Sequence, residues 1–350
     1  MSTLKTENKK KSYLWIAVVL ILLAGMVGGF LIALRQARGN DRTSPSQSRV
    51  DSAPEEAQSA PLETDDTSED EDWNSVIEYQ GETWKINNRL TTVLFMGIDS
   101  KASVESHNTV GNGGRADTIL LFVLNKDTET MQLIQISRDT MTEVDVYDDD
   151  RDLIYSGVMQ LTMQYAFGDS ATRSCMLMKK TVSELLYGID IDDYCALTID
   201  GMGSIVDAMG GITVTLEDDW TDISPSYTKG ATVTMDSAAV ERFVRYRDIE
   251  VTGSNDTRME RQAWFLQELF HQMASKGGNE LLSLYDAAGR DLTTDMDAET
   301  IRNMAKYTLD ENTVKLPGHT VEGDLHDEYY LDEEALQDLL VNTFYVKVEE

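Results

Sequence analysis

Apolar residues fall along this chain in three rhythms. The first is unbroken: residues 13–34, YLWIAVVLILLAGMVGGFLIAL, run without a charge. A helix of that length spans about 33 Å, enough for a bilayer core of about 30 Å. A cleaved leader would have a shorter apolar core and a small-x-small site just after it, and no A-x-A follows here. The segment reads as a retained anchor. Lys5, Lys9, Lys10 and Lys11 precede it, which favours a cytoplasmic tail over residues 1–12 and a body outside the cell membrane.

The second rhythm is short and dense. TTVLFMGI (91–98), DTILLFVLN (117–125) and MQLIQIS (131–137) are apolar runs rich in Val, Ile, Leu and Phe, and they predict buried strands. NKDTET between the last two predicts a hairpin turn. YCALTI and ITVTL predict two more strands.

The third rhythm is helical. In SATRSCMLMKKTVSELLYG, Cys175, Met178, Val182 and Leu185 recur at spacings of three and four, with Gly188 at the C-cap. DGMGSIVDAMGG predicts a helix opened by Asp200 and closed by Gly210 and Gly211. DSAAVERFVRYR opens with Asp236 as N-cap. NDTRMERQAWFLQELFHQMASKGG predicts a long helix ending at Gly277, with Met259, Ala263, Leu266, Phe270 and Met273 as its apolar stripe. Interleaved strands and helices predict an α-β-α sandwich, a mixed central sheet flanked by helices on both faces. Residues 279–350 predict a largely helical extension, with LPGHTVEGDLHDEYY as loop or edge strand.

Composition changes the picture in two places. Residues 51–72 hold ten acidic residues and no basic one, so residues 35–72 read as an extended, disordered linker before a domain over 73–350. The formal net charge of −32 argues against a nucleic-acid partner. Cys175 and Cys195 form no spaced metal motif and sit in apolar runs, as buried thiols do. His107, His271, His319 and His326 make no zinc motif. There is no G-x-S-x-G elbow, no Walker loop and no dinucleotide fingerprint.

What remains is a knot of arginines in an acidic chain. VERFVRYRDIEVTGSNDTRMERQ carries Arg242, Arg245, Arg247, Arg258 and Arg261. Arg258 shares a helix face with Arg261 and Gln262. Surface salt bridges to Glu241, Asp248, Glu250, Asp256 and Glu260 would explain such a set equally well. A second constellation shifts the balance. Asp99 follows the first strand, Arg115 and Asp117 open the second, and Arg138 and Asp139 end the third. If the first two strands are antiparallel neighbours, both carboxylates meet at one rim, and Arg138 joins them if the third pairs antiparallel with the second. Mg²⁺ takes one or two carboxylates and fills its shell with phosphate oxygens and water, and arginine forks bind phosphate bidentately. The joint pattern reads as a pyrophosphate site.

Six stretches in register, VLFMGIDS, GRADTILLFVLN, LIQISRDT, LTMQYAFGD, IDGMGSIVDAMGGITV and RYRD…NDTRMERQ, resemble the LytR-CpsA-Psr family of cell-wall assembly proteins. The resemblance spans 91–276. Ser137 stands where the family pattern has proline, and Lys101 where it often has arginine. The resemblance implies a phosphotransferase that moves a glycopolymer (teichoic acid, capsule or a similar polymer) from a polyprenyl-pyrophosphate carrier to peptidoglycan through a phosphodiester. A pyrophosphatase side activity belongs to the same expectation. The resemblance implies Mg²⁺ at Asp99 and Asp117, and pyrophosphate contacts from Arg115, Arg138, Arg245, Arg247, Arg258 and Gln262. It also implies an apolar tunnel for the lipid between sheet and helices. Asp256 and Asp139 are the candidate general bases, and Asp256 serves equally well to orient Arg245 or Arg247. Met163, Phe167, Met176, Met178, Met202, Ile205 and Met209 offer adaptable surface for a prenyl chain, or plain core. Two other readings stay open: an envelope protein that binds polyprenyl phosphates without turnover, and an adhesive ectodomain whose arginines merely tie helices together.

Overall fold

In the computed structural model, which describes residues 76–100, 110–111, 113–148, 150–247, 254–310, 312–323 and 326–348, the dense apolar runs become the centre of the molecule. Two short strands come first, β1 (Val76–Tyr79) and β2 (Glu82–Ile86), then three long ones, β3 (Leu90–Ile98), β4 (Ala116–Asn125) and β5 (Thr130–Ile136). A hairpin follows, β6 (Met141–Tyr147) and β7 (Leu153–Gln160), and a 3-10 segment (Leu161–Phe167) leads into α1 (Ala171–Leu185). The middle of the chain gives β8 (Asp193–Thr198), α2 (Ile199–Met209), β9 (Ile212–Thr215), β10 (Thr232–Met235), α3 (Ser237–Arg245) and α4 (Ser254–Ser275). The last part gives α5 (Gly278–Ala288), β11 (Leu292–Thr294), α6 (Ala298–Met304), β12 (Thr308–Leu309), β13 (Val314–Lys315), β14 (Gly318–Glu322), β15 (Asp327–Leu331), α7 (Glu333–Phe344) and β16 (Tyr345–Lys347).

The central sheet runs β11-β8-β3-β4-β5-β12, with β13 also on β5. It is mixed: β3–β4 and β4–β5 are antiparallel, while β3–β8 and β5–β12 are parallel. The turn between β4 and β5 is closed by the Asn125 side chain, whose Oδ1 accepts from the amides of Asp127 and Thr128 at 2.9 and 3.3 Å. Because successive strand residues point to opposite faces, the runs bury two separate layers. Leu94, Met96, Leu121 and Ile134 face α1 and α7. Val93, Phe122, Leu133 and Cys195 face α4, α5 and α6. Cys175 and Cys195 are buried, free, and in opposite layers.

Helix ends follow their caps. Asp236 opens α3 by accepting from the Ala239 amide at 2.8 Å, and Gly210 closes α2 at φ 79°, a conformation open to glycine without strain. At the start of α2 the expectation is corrected. Thr198, not Asp200, is the N-cap, its hydroxyl accepting from the Gly201 amide at 3.1 Å. Asp200 sits in the first turn, where a carboxylate complements the helix dipole.

Residues 279–350 do more than add helix. They supply β11, β12 and β13 to the central sheet, and β16 pairs with β2. Among the described residues no helix is long and apolar enough to cross a membrane, and the expected span at residues 13–34 lies outside them.

Candidate active site

The site starts from one irregularity. The antiparallel register of β3 and β4 shifts between Gly97 and Ile98, so that Gly97 faces Thr118 but Ile98 faces Ala116. A bulge of this kind re-aims side chains. Ala116 and Ile98 stay in the α1 layer, while Asp117 and Thr118 both turn to the α4 side. The Asp99 amide then donates to the Arg115 carbonyl at 3.0 Å, and Asp99 and Asp117 line one cavity of about 140 Å³. Gly97 keeps that wall low, since a Cβ there would meet Thr118 Cβ at 3.1 Å.

Arginines arrive from three other elements. Arg138, just past β5, forms an ion pair with Asp117 through Nη1 and places Nε 3.4 Å from Asp139. Arg258, in the first turns of α4, brings Nη2 to 3.9 Å from the other Asp117 oxygen. Arg245, the last residue of α3, holds Asp99 at 3.1 Å and Glu241 at 3.6 Å. Two glutamines set the depth of α4: Gln135 donates to the Met259 carbonyl at 2.8 Å, and Gln262 accepts from the Thr118 hydroxyl at 2.9 Å and donates to the Val244 carbonyl at 2.9 Å.

Burial sharpens the charges. It pushes the Asp117 carboxyl above the usual aspartate range, against the pull of Arg138 and Arg258, and nearby Asp99 pushes it the same way. Burial raises Asp139 and lowers Arg258. Burial thus disfavours the charged form of each group, and the opposite charges beside them offset part of that cost.

Several expected residues stand elsewhere or act differently. Arg115 is exposed on the rim. Arg247 lies beside Asp327 of β15, at 4.0 Å. Arg261 is buried and turned away, donating to the carbonyls of Phe243 and Tyr246, so it ties α4 to α3. Asp139 is buried, accepting from Gln160 at 2.7 Å and facing Arg138, an arrangement that holds the arginine. The side chain of Asp256 lies outside the described residues.

Behind the charged mouth the lining changes. Phe95, Leu197 and Leu266 belong both to this cavity and to a second one of about 100 Å³ with almost wholly apolar walls. That second space lies between β3, β4 and β8 on one side and α4, α5 and α6 on the other, with Phe270 and Met273 of the α4 stripe on its wall. Met202 and Ile205 line this path. Met163, Phe167, Met176 and Met178 do not: Met178 is core in the α1 layer and Met176 is half-exposed. Their spacing marked them as apolar but not by which face of the sheet they lie.

Sequence reading missed Thr118, Gln160 and Asp327. Thr118 adjoins Asp117 and was hidden by the bulge. Asp327 is brought in by the β14–β15 pairing and a bridge from Thr140 to Tyr329, for which no local signal exists. Among the described residues no group of three or more His, Cys, Asp or Glu is arranged for a metal. Asp99 and Asp117 nonetheless suit a hard cation that takes its other ligands from phosphate and water, since two like charges face one cavity.

The mixed α/β fold thus sets paired carboxylates and convergent guanidiniums over an apolar slot. The chain belongs to the LytR_cpsA_psr family, whose model matches residues 54–344. It is similar to the polyisoprenyl-teichoic acid–peptidoglycan teichoic acid transferase TagU of Bacillus subtilis (strain 168), 25% identical over 256 residues, 71% of this chain and 75% of that one. TagU of Oceanobacillus iheyensis is 24% identical over 233 residues, 65% and 67% of the two chains. The crystal structure of B. subtilis TagU superposes with a TM-score of 0.54 at 20% identity, covering 75% of this chain and all of that one. TagT bound to LIIa-WTA gives 0.54 at 19%, covering 73% and 91%. At those identities the structural likeness establishes the fold.

Proposed function

We propose that this chain moves a glycopolymer from a polyprenyl-pyrophosphate carrier to peptidoglycan, forming a phosphodiester and releasing polyprenyl phosphate. One observation carries the reading: Arg245 and Arg258 converge with Asp99 and Asp117 at the mouth of a cavity whose inner wall is apolar, with Arg138 paired to Asp117 beside it. A pyrophosphate joined to a prenyl chain needs both halves. Family membership supports it, as does the activity in the names of the B. subtilis and O. iheyensis relatives.

The acceptor sugar hydroxyl attacks the phosphorus nearer the glycan. The new P–O bond forms as the bond to the bridging oxygen breaks, polyprenyl phosphate leaves with that oxygen, and the hydroxyl proton passes to the leaving phosphate or to water. Arg138 and Arg258, fixed by Asp117, are set to bind the phosphate oxygens as charge shifts onto the leaving group. Arg245, held by Asp99, approaches from the opposite wall. Preorganised cations of this kind cost no rearrangement during reaction. Asp99 and Asp117 would hold Mg²⁺, which adds positive charge at the same oxygens. Phe95, Leu197 and Leu266 admit the first isoprenoid carbons and exclude water from the leaving side. On this reading residues 13–34 anchor the chain and the domain works outside the membrane.

The test is release of polyprenyl phosphate by the full-length chain in lipid nanodiscs, given a lipid-pyrophosphate glycan and peptidoglycan fragments, with Mg²⁺ or with chelator. Release that stops in Asp117→Ala supports the proposal. Wild-type chain that binds the donor tightly and never releases polyprenyl phosphate overturns it in favour of a carrier-binding protein.

A further inference from the structure

The β6–β7 hairpin stands apart from the central sheet, and β7 is its outer strand: among the described residues β7 pairs only with β6. Its residues are LIYSGVMQ. Leu153, Ile154, Tyr155 and Val158 are 56, 62, 54 and 67% exposed. Folded proteins blunt such edges with charge or proline. β7 has neither, in a chain of net charge −32. Among the described residues this is an unpaired strand edge, itself uncharged.

We propose that β7 pairs antiparallel with β7 of a second copy of this chain, about a two-fold axis at Ser156. The strand is complementary to itself in that register. Tyr155 falls opposite the second copy's Gly157 within the regular part of the strand, and Ile154 and Leu153, where the register on β6 shifts, come beside its Val158 and Met159. Residues directly opposite share a face. In the existing hairpin Val158 pairs with Glu143, Ser156 with Asp145 and Leu153 with Tyr147, the register shifting at Ile154, so Leu153, Ser156 and Val158 lie on the face of those carboxylates. The dimer therefore makes a four-stranded ribbon with the two Ser156 hydroxyls at its axis, each donating to its own Glu143 and Asp145 at 2.8 and 2.7 Å, and with Val158 of each copy flanking them. On the other face the Tyr155 ring already lies over its own Gly157, and the register places the second copy's tyrosine beside it.

Charge selects the occupant. Two chains of net −32 can meet only where charge is scarce, and β7 offers an uncharged edge to its own copy. An anionic membrane surface would be repelled by the turn at the hairpin's end, which carries Asp148, Asp150 and Asp152. An apolar peptide of another protein would gain the same backbone hydrogen bonds but has no matching register imposed on it.

The experiment is oxidative cross-linking of the full-length chain in membrane vesicles. Opposed residues at the axis lie about 4.5–5.5 Å apart at Cα, within the range a disulfide bridges. The native Cys175 and Cys195 are buried and stay out of the reaction. Ser156→Cys is expected to give a covalent dimer at least tenfold above Thr234→Cys, an exposed control on β10. Adding Val158→Lys is expected to return the yield to that control, with the melting temperature of each variant within a few degrees of wild type. Light scattering of the detergent-solubilised wild type is expected to show a concentration-dependent doubling of protein mass that Val158→Lys removes. The proposal is overturned if Ser156→Cys gives no more dimer than the control, if Val158→Lys leaves the yield unchanged, or if the cross-linked product holds a different protein.

Discussion

The two faces of the central sheet are built from alternate residues of the same strands, and they end differently. Toward α1 and α7, Leu94, Met96, Ile98, Tyr165 and Phe344 are buried to 2% exposure or less and fill their layer. Toward α4, α5 and α6, Phe95, Leu266, Phe270 and Met273 stay only partly buried around open apolar space. Close packing on one side maximises dispersion and water exclusion. A slot on the other side gives up some of both. One sheet thus separates the work of staying folded from the work proposed for the site, and substitutions one residue apart should report on different properties.

The sharpest break is expected at the charged mouth. Asp117→Ala removes the shared anchor of Arg138 and Arg258, and polyprenyl phosphate release should fall by about 10³, the scale of losing a preorganised electrostatic contact. Next comes the filled layer. Leu94→Ala should cost about 2–5 kcal/mol in denaturant unfolding, while turnover per folded molecule at low temperature stays near wild type. Its neighbour in sequence points into the slot side. Leu266, on the slot wall facing Phe95, is the place to test it: Leu266→Trp should raise KM for the lipid donor roughly tenfold with little change in melting temperature, because the added ring fills space already open. A variant that melts early and keeps its KM would blur the division between the faces.

The smallest effect is a pH slope. Burial holds Asp139 above its ordinary value of 3.8, so its protonated form is favoured in the folded state. Its contribution to stability is whole below that ordinary value and is lost as pH rises through the raised one. Asp327 and Asp117 push Asp139 the same way, while Arg138 and Arg258 oppose them. Asp139→Asn should therefore melt progressively better, relative to wild type, as pH is taken from below 4 toward neutrality. An unchanged difference across that range would show that Asp139 does not titrate as described.

Much of this was legible in the residues because some signals are local. The dry runs at 91–98, 117–125 and 131–137 have no other stable home than a covered sheet, and the antiparallel pairing that brings Asp99 to Asp117 follows from one short turn and one loop. The stripe from Met259 to Met273 named its own buried face. Other features rest on distant parts of the chain. Strands of two or three residues such as β11, β12 and β13 have no period to read. Asp327 reaches Arg247 only because β15 lies against Thr140. Met178 and Met202 have like chemistry, and only the layer each helix joins decides that one is core and the other lines the path. The bulge opposite Gly97 and Ile98 is the clearest case: Asp117 is itself the residue left unpaired, silent in the pattern, and that decides where it points.

The helix that completes the filled layer is α7, and its Leu336, Leu340 and Phe344 leave the ribosome long after the strands they cover. Until they emerge, the strands made long before them present bare hydrocarbon on that side, and β2 waits for β16. The growing polypeptide therefore cannot mature piecemeal from its amino end. That side must stay shielded in the nascent chain until α7 and β16 have emerged, and then close in one late event.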